Sequence, residues 1–227
     1  WEILVEAEDA HLSWLSEQAQ IDLKRSLLQR LSHLSWQALE LEYSAFRSLD
    51  QSDITFLFMS RLQSYADKAE ERTQTVYLRF VENMFGGKYF DFFNEYSVLA
   101  RLLSQTIDNW VAAIREFIHR YIRDREAIGT TILNGKVPGR VASLRMDLSD
   151  PHHSGKTVCI IELEDRHKVV YKPKSMQISA AYHHLLDWLN ERVEFPLDLR
   201  GVKTLDCGLY GWEEFVEHTS CTDRTEV

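Results

Sequence analysis

The 227-residue chain has no glycine before Gly86 and no proline before Pro138, while all four prolines and seven of its nine glycines follow residue 128. Gly and Pro are the strongest local breakers of regular structure. The first part of the chain can therefore run as long helices, and the last part must turn often. Leu12, Leu15, Ala19, Leu23, Leu27, Leu31 and Leu34 recur at helical intervals, and the apolar supply continues through residues 36–46. A second helical stretch covers about residues 54–84, with Gly86-Gly87 as its stop. A third is the clearest: Leu99, Leu102, Leu103, Ile107, Trp110, Val111, Ile114, Phe117, Ile118, Tyr121 and Ile122 form one apolar stripe, read as a packing face.

After Gly135 the period changes to two. Ala142, Leu144, Met146 and Leu148 alternate with Ser143, Arg145 and Asp147, which describes a half-buried strand. A polar loop over 149–156 follows. Residues 157–163 and 168–172 read as an antiparallel hairpin across the turn Glu164-Asp165-Arg166-His167. Tyr182, Leu185, Leu186, Leu189 and Val193 then share one helical face, and two short strands are expected within 202–216, around Gly208 and Gly211. The fold class is α+β: a mainly helical segment over 1–135, then an antiparallel sheet with one packed helix over 136–227. Strand, loop, strand, turn, strand, helix, strand, strand is the order of a kinase-like small lobe, in which a loop covers ATP phosphates and a third-strand Lys contacts them.

Composition excludes several partners. A net charge of −9 lacks the basic footprint that phosphate-backbone binding needs, so no nucleic acid partner is expected. No segment approaches the roughly 18–20 apolar residues of a membrane span, so no membrane partner is expected and the compartment read is the cytoplasm. Cys159, Cys207 and Cys221 show no metal-type spacing and read as ordinary thiols of a reducing compartment. A start at Trp1 and an end at Val227 without a stop signal suggest a piece of something longer.

Chemistry concentrates at three places. The loop Asp150-Pro151-His152-His153-Ser154-Gly155-Lys156 can lay backbone N–H groups, His152 and Lys156 against phosphate oxygens; the plain alternatives are a polar turn without a ligand and, with no second cluster to complete a shell, metal ligation. Lys172 ends the apolar run Val169-Val170-Tyr171, where a kinase places the phosphate-clamping Lys; the alternative is a strand-end Lys reaching solvent. Pro173 makes that strand stop or lie at an edge. A kinase pairs this Lys with a Glu on the next helix, for which Asp187 and Glu191 are available. The segment from Tyr210 to Glu217, with Phe215 and Val216, occupies the place of the hinge that meets adenine, or its aromatics are core.

At these residues the sequence resembles the type II lanthipeptide synthetases. The resemblance is carried by Ser149-Asp150-Pro151-His152 with Gly155, by Val170-Tyr171-Lys172-Pro173-Lys174-Ser175, and by Leu186-Asp187-Trp188-Leu189-Asn190. Gly211-Trp212-Glu213-Glu214-Phe215-Val216 and, upstream, Glu95-Tyr96-Ser97-Val98-Leu99-Ala100-Arg101 complete it. It covers about residues 75–217. The family usually has Pro at Ser97, often Asn at His153 and commonly Arg at Lys156 and Lys174; Lys cannot reproduce Arg's bidentate fork.

The resemblance implies an incomplete dehydratase domain of an enzyme that uses ATP and Mg²⁺ to phosphorylate Ser and Thr of a precursor peptide, leader and core, and then eliminates phosphate. Lys172 would contact ATP phosphates, with Asp150 and His152 near the transferred phosphoryl. Gly155, Lys156, Phe215 and Val216 would complete the ATP-binding part. No metal ligand is assigned in this chain: the Mg²⁺ ligands are expected beyond residue 227 with the catalytic lobe, and zinc only in a C-terminal cyclase domain. A lobe separated from its partner should expose an apolar surface around Trp212 and Phe215 and self-associate. The alternative from another class is a non-catalytic helical scaffold with a degenerate nucleotide- or peptide-binding lobe.

Overall fold

A computed structural model describes residues 11–51, 68–151, 154–194, 196 and 199–218. His152, His153, Cys221 and residues 54–67 of the second expected helical stretch lie outside the described residues. The chain divides into two compact units, Trp1–Leu27 with Asp108–Val227, and Leu28–Ile107. Among the described residues no helix is long and apolar enough to cross a membrane.

The elements are α1 (Glu17–Gln51), α2 (Lys68–Asn83), a π-helical turn (Met84–Lys88), α3 (Tyr89–Glu95), α4 (Ser97–Thr131), β1 (Val141–Arg145), β2 (Cys159–Leu163), β3 (Lys168–Lys172), α5 (Gln177–Asn190), β4 (Thr204–Asp206) and β5 (Gly211–Glu214). This is α+β in the expected order. In the second unit the chain leaves its helix at Gly87, whose φ of +126° suits a residue without Cβ, and starts α3 two residues later. Tyr43, Phe46 and Phe80 make edge and tilted ring contacts there, with centroids 5.4 and 5.6 Å apart.

In the first unit five antiparallel strands form one sheet in the order β1-β2-β3-β5-β4. Period-two alternation sends Cys159, Ile161, Leu163, Val169, Tyr171 and Trp212 to one face. There they join Trp110, Ile114, Phe117, Ile118, Tyr121 and Ile128 of α4 and Leu15, Ala19 and Leu23 in a single core cluster. The α4 stripe read from the sequence is thus a packing face between residues 110 and 128. Leu15 also bridges Val141 in parallel, and the Arg140 guanidinium donates to the Ser13 and Leu15 carbonyls at 2.9 and 3.0 Å.

Three local expectations fail for identifiable reasons. In β1 Leu144 is buried and Met146 packs partly buried against the core, as the alternation implied, but a bulge between Val141 and Ser143 puts Val141 rather than Ala142 into the core. Leu148 is exposed, since Asp147 turns the chain at φ +59° and ends the alternation. On α5 only Leu186 is buried, Tyr182 and Leu185 are 56 and 50% exposed, and Val193, past the end of the helix, is 44% exposed. Finally, Trp212, expected on an exposed surface, is 0% exposed, with its ring tilted against that of Tyr171, centroids 4.9 Å apart. The core takes the aromatic that the hinge analogy placed outside.

Gly211 opens β5 where no side chain fits. An added Cβ would lie 2.2 Å from Met176 Cγ and 2.6 Å from the Leu205 carbonyl oxygen. Overpacking of this kind typically costs about 1–3 kcal/mol. Gly211→Ala is expected to lower the unfolding free energy measured in urea by that amount, whereas Gly139→Ala, with nothing within 4 Å of the new Cβ, serves as the matched control.

Candidate functional site

The face of the sheet opposite the core carries the polar half of the alternation. Lys168, Val170 and Lys172 of β3 lie on it, beside Ile160 and Glu162 of β2 and Glu213 of β5, as the register Ile160↔Val170↔Glu213 requires. All but Glu213 are partly exposed. Lys172 ends β3, between β2 and β5, and Pro173 follows where pairing has stopped.

The partner of Lys172 is Glu213: the ammonium meets the Glu213 carboxylate, diagonally across the β3–β5 pair, in a close ion pair. The helix residues Asp187 and Glu191 do not supply this carboxylate; both are exposed on or just past α5. Glu213 is 8% exposed, so the strand arrangement buries a carboxylate and gives it a fixed cation.

Lys156 is engaged elsewhere. Its Nζ lies 2.6 and 2.8 Å from the two Glu116 oxygens of α4. Arg120 grips the same carboxylate at 2.5 Å, donates to the Tyr171 hydroxyl at 2.6 Å and covers the Tyr210 ring at 3.9 Å. Tyr171 lies on the core face, and its phenol is pushed up to about 12, chiefly by burial and against the opposing pull of Arg120. The two candidate phosphate cations therefore hold separate carboxylates.

The loop between β1 and β2 is pinned at its base. Ser26 and Thr157 hydroxyls donate to the two oxygens of Asp147 at 2.7 and 3.2 Å, and the Val158 amide donates to Ser149 Oγ at 3.1 Å. Beyond these pins Asp150 is exposed, and Ser154 and Gly155 turn through φ +68° and +88°. A loop fixed at both feet in this way can meet an anion without moving the strands. At the other end of the open face, Lys168 Nζ stands 5.1 Å from the Phe215 ring centroid. A cavity of about 310 Å³ lies beside Phe215, lined also by Arg166, His167 and Glu217, while Val216 is 64% exposed.

Sequence reasoning missed Asp124. It sits on the buried side of α4, three residues after Tyr121 and four before Ile128. Its Oδ2 accepts from the Tyr210 hydroxyl at 2.6 Å and Trp212 Nε1 at 3.0 Å, with Cys207 Sγ at 3.7 Å, and its Oδ1 accepts from Arg123 at 2.9 Å. A carboxylate inside an apolar stripe was the available signal. Through these bonds α4 fixes Tyr210 and Trp212, which flank Gly211 and precede Glu213.

Cys159 and Cys207 have environments that suppress thiolate chemistry. Burial pushes the Cys159 thiol well above its ordinary range, and burial with the neighbouring Asp124 charge pushes Cys207 up to about 11. Thiolates are the reactive form. With an aromatic disulfide reagent at about pH 8, native protein should leave Cys159 unmodified and label Cys207 slowly, with both released on denaturation; peptide mapping distinguishes them from Cys221.

Among known families, a model described as "Domain of unknown function (DUF4135)" matches residues 96–227. No curated protein matches the chain. The matched stretch contains α4, the whole sheet, the loop and α5.

Proposed function

The chain belongs to the DUF4135 family, a domain of unknown function, and from that premise we propose that its sheet unit is the ATP-binding half of a lanthipeptide dehydratase. The observation that carries the reading is Lys172 at the end of β3, on the face of the sheet opposite the α4 core, where it pairs with Glu213. Val170 and Ile160 offer an apolar surface beside it, suited to a purine ring, and the pinned loop with Gly155 stands at the same edge of the sheet as the Lys172 end of β3. ATP bound there would supply the phosphoryl group. Lys172 would balance the phosphate charge, with Glu213 setting the position of its ammonium. Asp150 and His152 would act near the transferred group. Among the described residues no group of His, Cys, Asp and Glu is arranged to hold a metal ion. In this reading the Mg²⁺ ligands come from the catalytic lobe of the synthetase. The remaining partners are a precursor peptide and a zinc cyclase domain, and the work is cytoplasmic, where ATP is supplied.

The test is mass spectrometry of the cognate precursor after incubation with the whole protein, ATP and Mg²⁺. Loss of one water per modified Ser or Thr is expected, and an unchanged peptide would overturn the reading. The chain by itself should give no mass change, because phosphoryl transfer depends on metal ligands and a positioned hydroxyl. Water loss catalysed by this chain alone would refute the division between lobes.

One observation favours a second reading, a non-catalytic scaffold with a degenerate lobe: Lys156 and Lys172 both hold carboxylates of the chain itself. An Asp-x-His-x-x-Asn segment encoded downstream of Val227 favours the enzyme, and its absence favours the scaffold.

A further inference from the structure

The second unit contains a cavity that the ATP reading does not use. Its floor is aromatic and aliphatic: Phe80 and Phe92 are 8 and 6% exposed, and Phe46, Leu49 and Met84 complete the apolar wall. The rim is acidic. Among the described lining residues, Glu42, Asp91 and Glu95 face one cation, Lys88, whose ammonium is already 3.2 Å from Asp91. The Tyr96 hydroxyl donates to Glu42 at 3.0 Å, which fixes one rim carboxylate in place. Among the described lining residues, three carboxylates thus stand against one ammonium over an apolar hollow.

The volume, about 260 Å³, is below the roughly 300–1000 Å³ of pockets that enclose drug-sized molecules. It suits one or two large side chains. Leu49 on the wall is 74% exposed, and Phe85 and Phe90, next to the lining in sequence, are 81 and 62% exposed. Apolar surface of this kind, rimmed by charge, marks a docking place, and charge complementarity selects what docks. We propose that the cavity receives a polypeptide segment that presents a bulky apolar side chain flanked by Lys or Arg. The apolar side chain fills the hollow, and its cationic neighbours meet Glu42 and Glu95.

The test uses the whole chain and a short fluorescein-labelled peptide with one Trp between Lys pairs, with a copy carrying Glu for Lys as control. Anisotropy should report binding of the Lys peptide and none of the Glu peptide. Ala45→Trp fills the hollow from an exposed wall position, and it should weaken binding by about tenfold or more, as should Glu42→Gln combined with Glu95→Gln. Leu49→Lys, at a solvent-facing site, is a second variant in case Ala45→Trp perturbs folding. Absence of binding, or binding that ignores the wall variants and follows charge alone, overturns the proposal. A concentration-dependent dimer that Ala45→Trp dissolves would also overturn it, by showing that a second copy of the chain is the occupant.

Discussion

Lys172→Met in the whole enzyme is expected to reduce peptide phosphorylation by roughly 10²- to 10³-fold, the usual effect of removing a group that acts on developing charge. The ion pair adds a condition to this experiment. Glu213 is 8% exposed, and removing its cation leaves a buried carboxylate, which by itself destabilises a protein. Lost activity in the single variant would then mix a structural effect with a chemical one. The double variant Lys172→Met with Glu213→Gln removes both charges and should recover the stability while remaining inactive. Glu213→Gln alone leaves the ammonium in place but loosened, so its effect should be smaller than that of Lys172→Met. His152→Ala should behave differently again: if its imidazole serves elimination, phosphopeptide accumulates in place of unmodified substrate. A Lys172→Met enzyme that dehydrates its peptide at the wild-type rate would remove the ATP reading.

The identity of the Lys172 partner illustrates what the sequence could and could not reveal. The end of β3 was legible, because an apolar run closed by Lys172 and Pro173 can only be a strand that stops there. The partner was not, because pairing across β3 and β5 depends on register, and α5 together with a connection through residues 191–203 separates the two strands in sequence. The same limit hid Glu116, which sits 40 residues before Lys156. Helical stripes were legible where a core exists to receive them, as at Trp110, Ile114 and Phe117. On α5 the periodic residues Tyr182 and Leu185 are solvent-facing, since periodicity describes an amphipathic face but not what covers it. The bulge at Val141 left no signal in composition, and it put Val141 in the core where the alternation expected Ala142, while Leu144 kept its place.

Asp124→Ala is expected to be the most destabilising single change in the sheet unit, at about 3–5 kcal/mol, the cost of breaking a buried charged network. The reason lies in where its partners would have to turn. Trp212 is 0% and Tyr210 4% exposed, so neither the indole N–H nor the phenol can exchange its lost acceptor for water. Hydrogen bonds to charged groups contribute about 1.5–3 kcal/mol each, and a buried donor left without a partner carries its full desolvation cost. Against a typical domain stability of about 5–15 kcal/mol this loss is severe. Asp124→Asn keeps a carbonyl oxygen that can accept from both donors, so it should lose markedly less. A double-mutant cycle with Trp212→Phe should return a coupling energy of about 0.5–3 kcal/mol, because the variants share one bond. The consequence reaches the open face: Trp212 and Glu213 are consecutive on β5, and a strand released from α4 no longer holds Glu213 against Lys172. Urea unfolding of Asp124→Ala within about 0.5 kcal/mol of wild type would show that the carboxylate is not the fastening of β5, and with it would go the argument that α4 sets the geometry of Lys172.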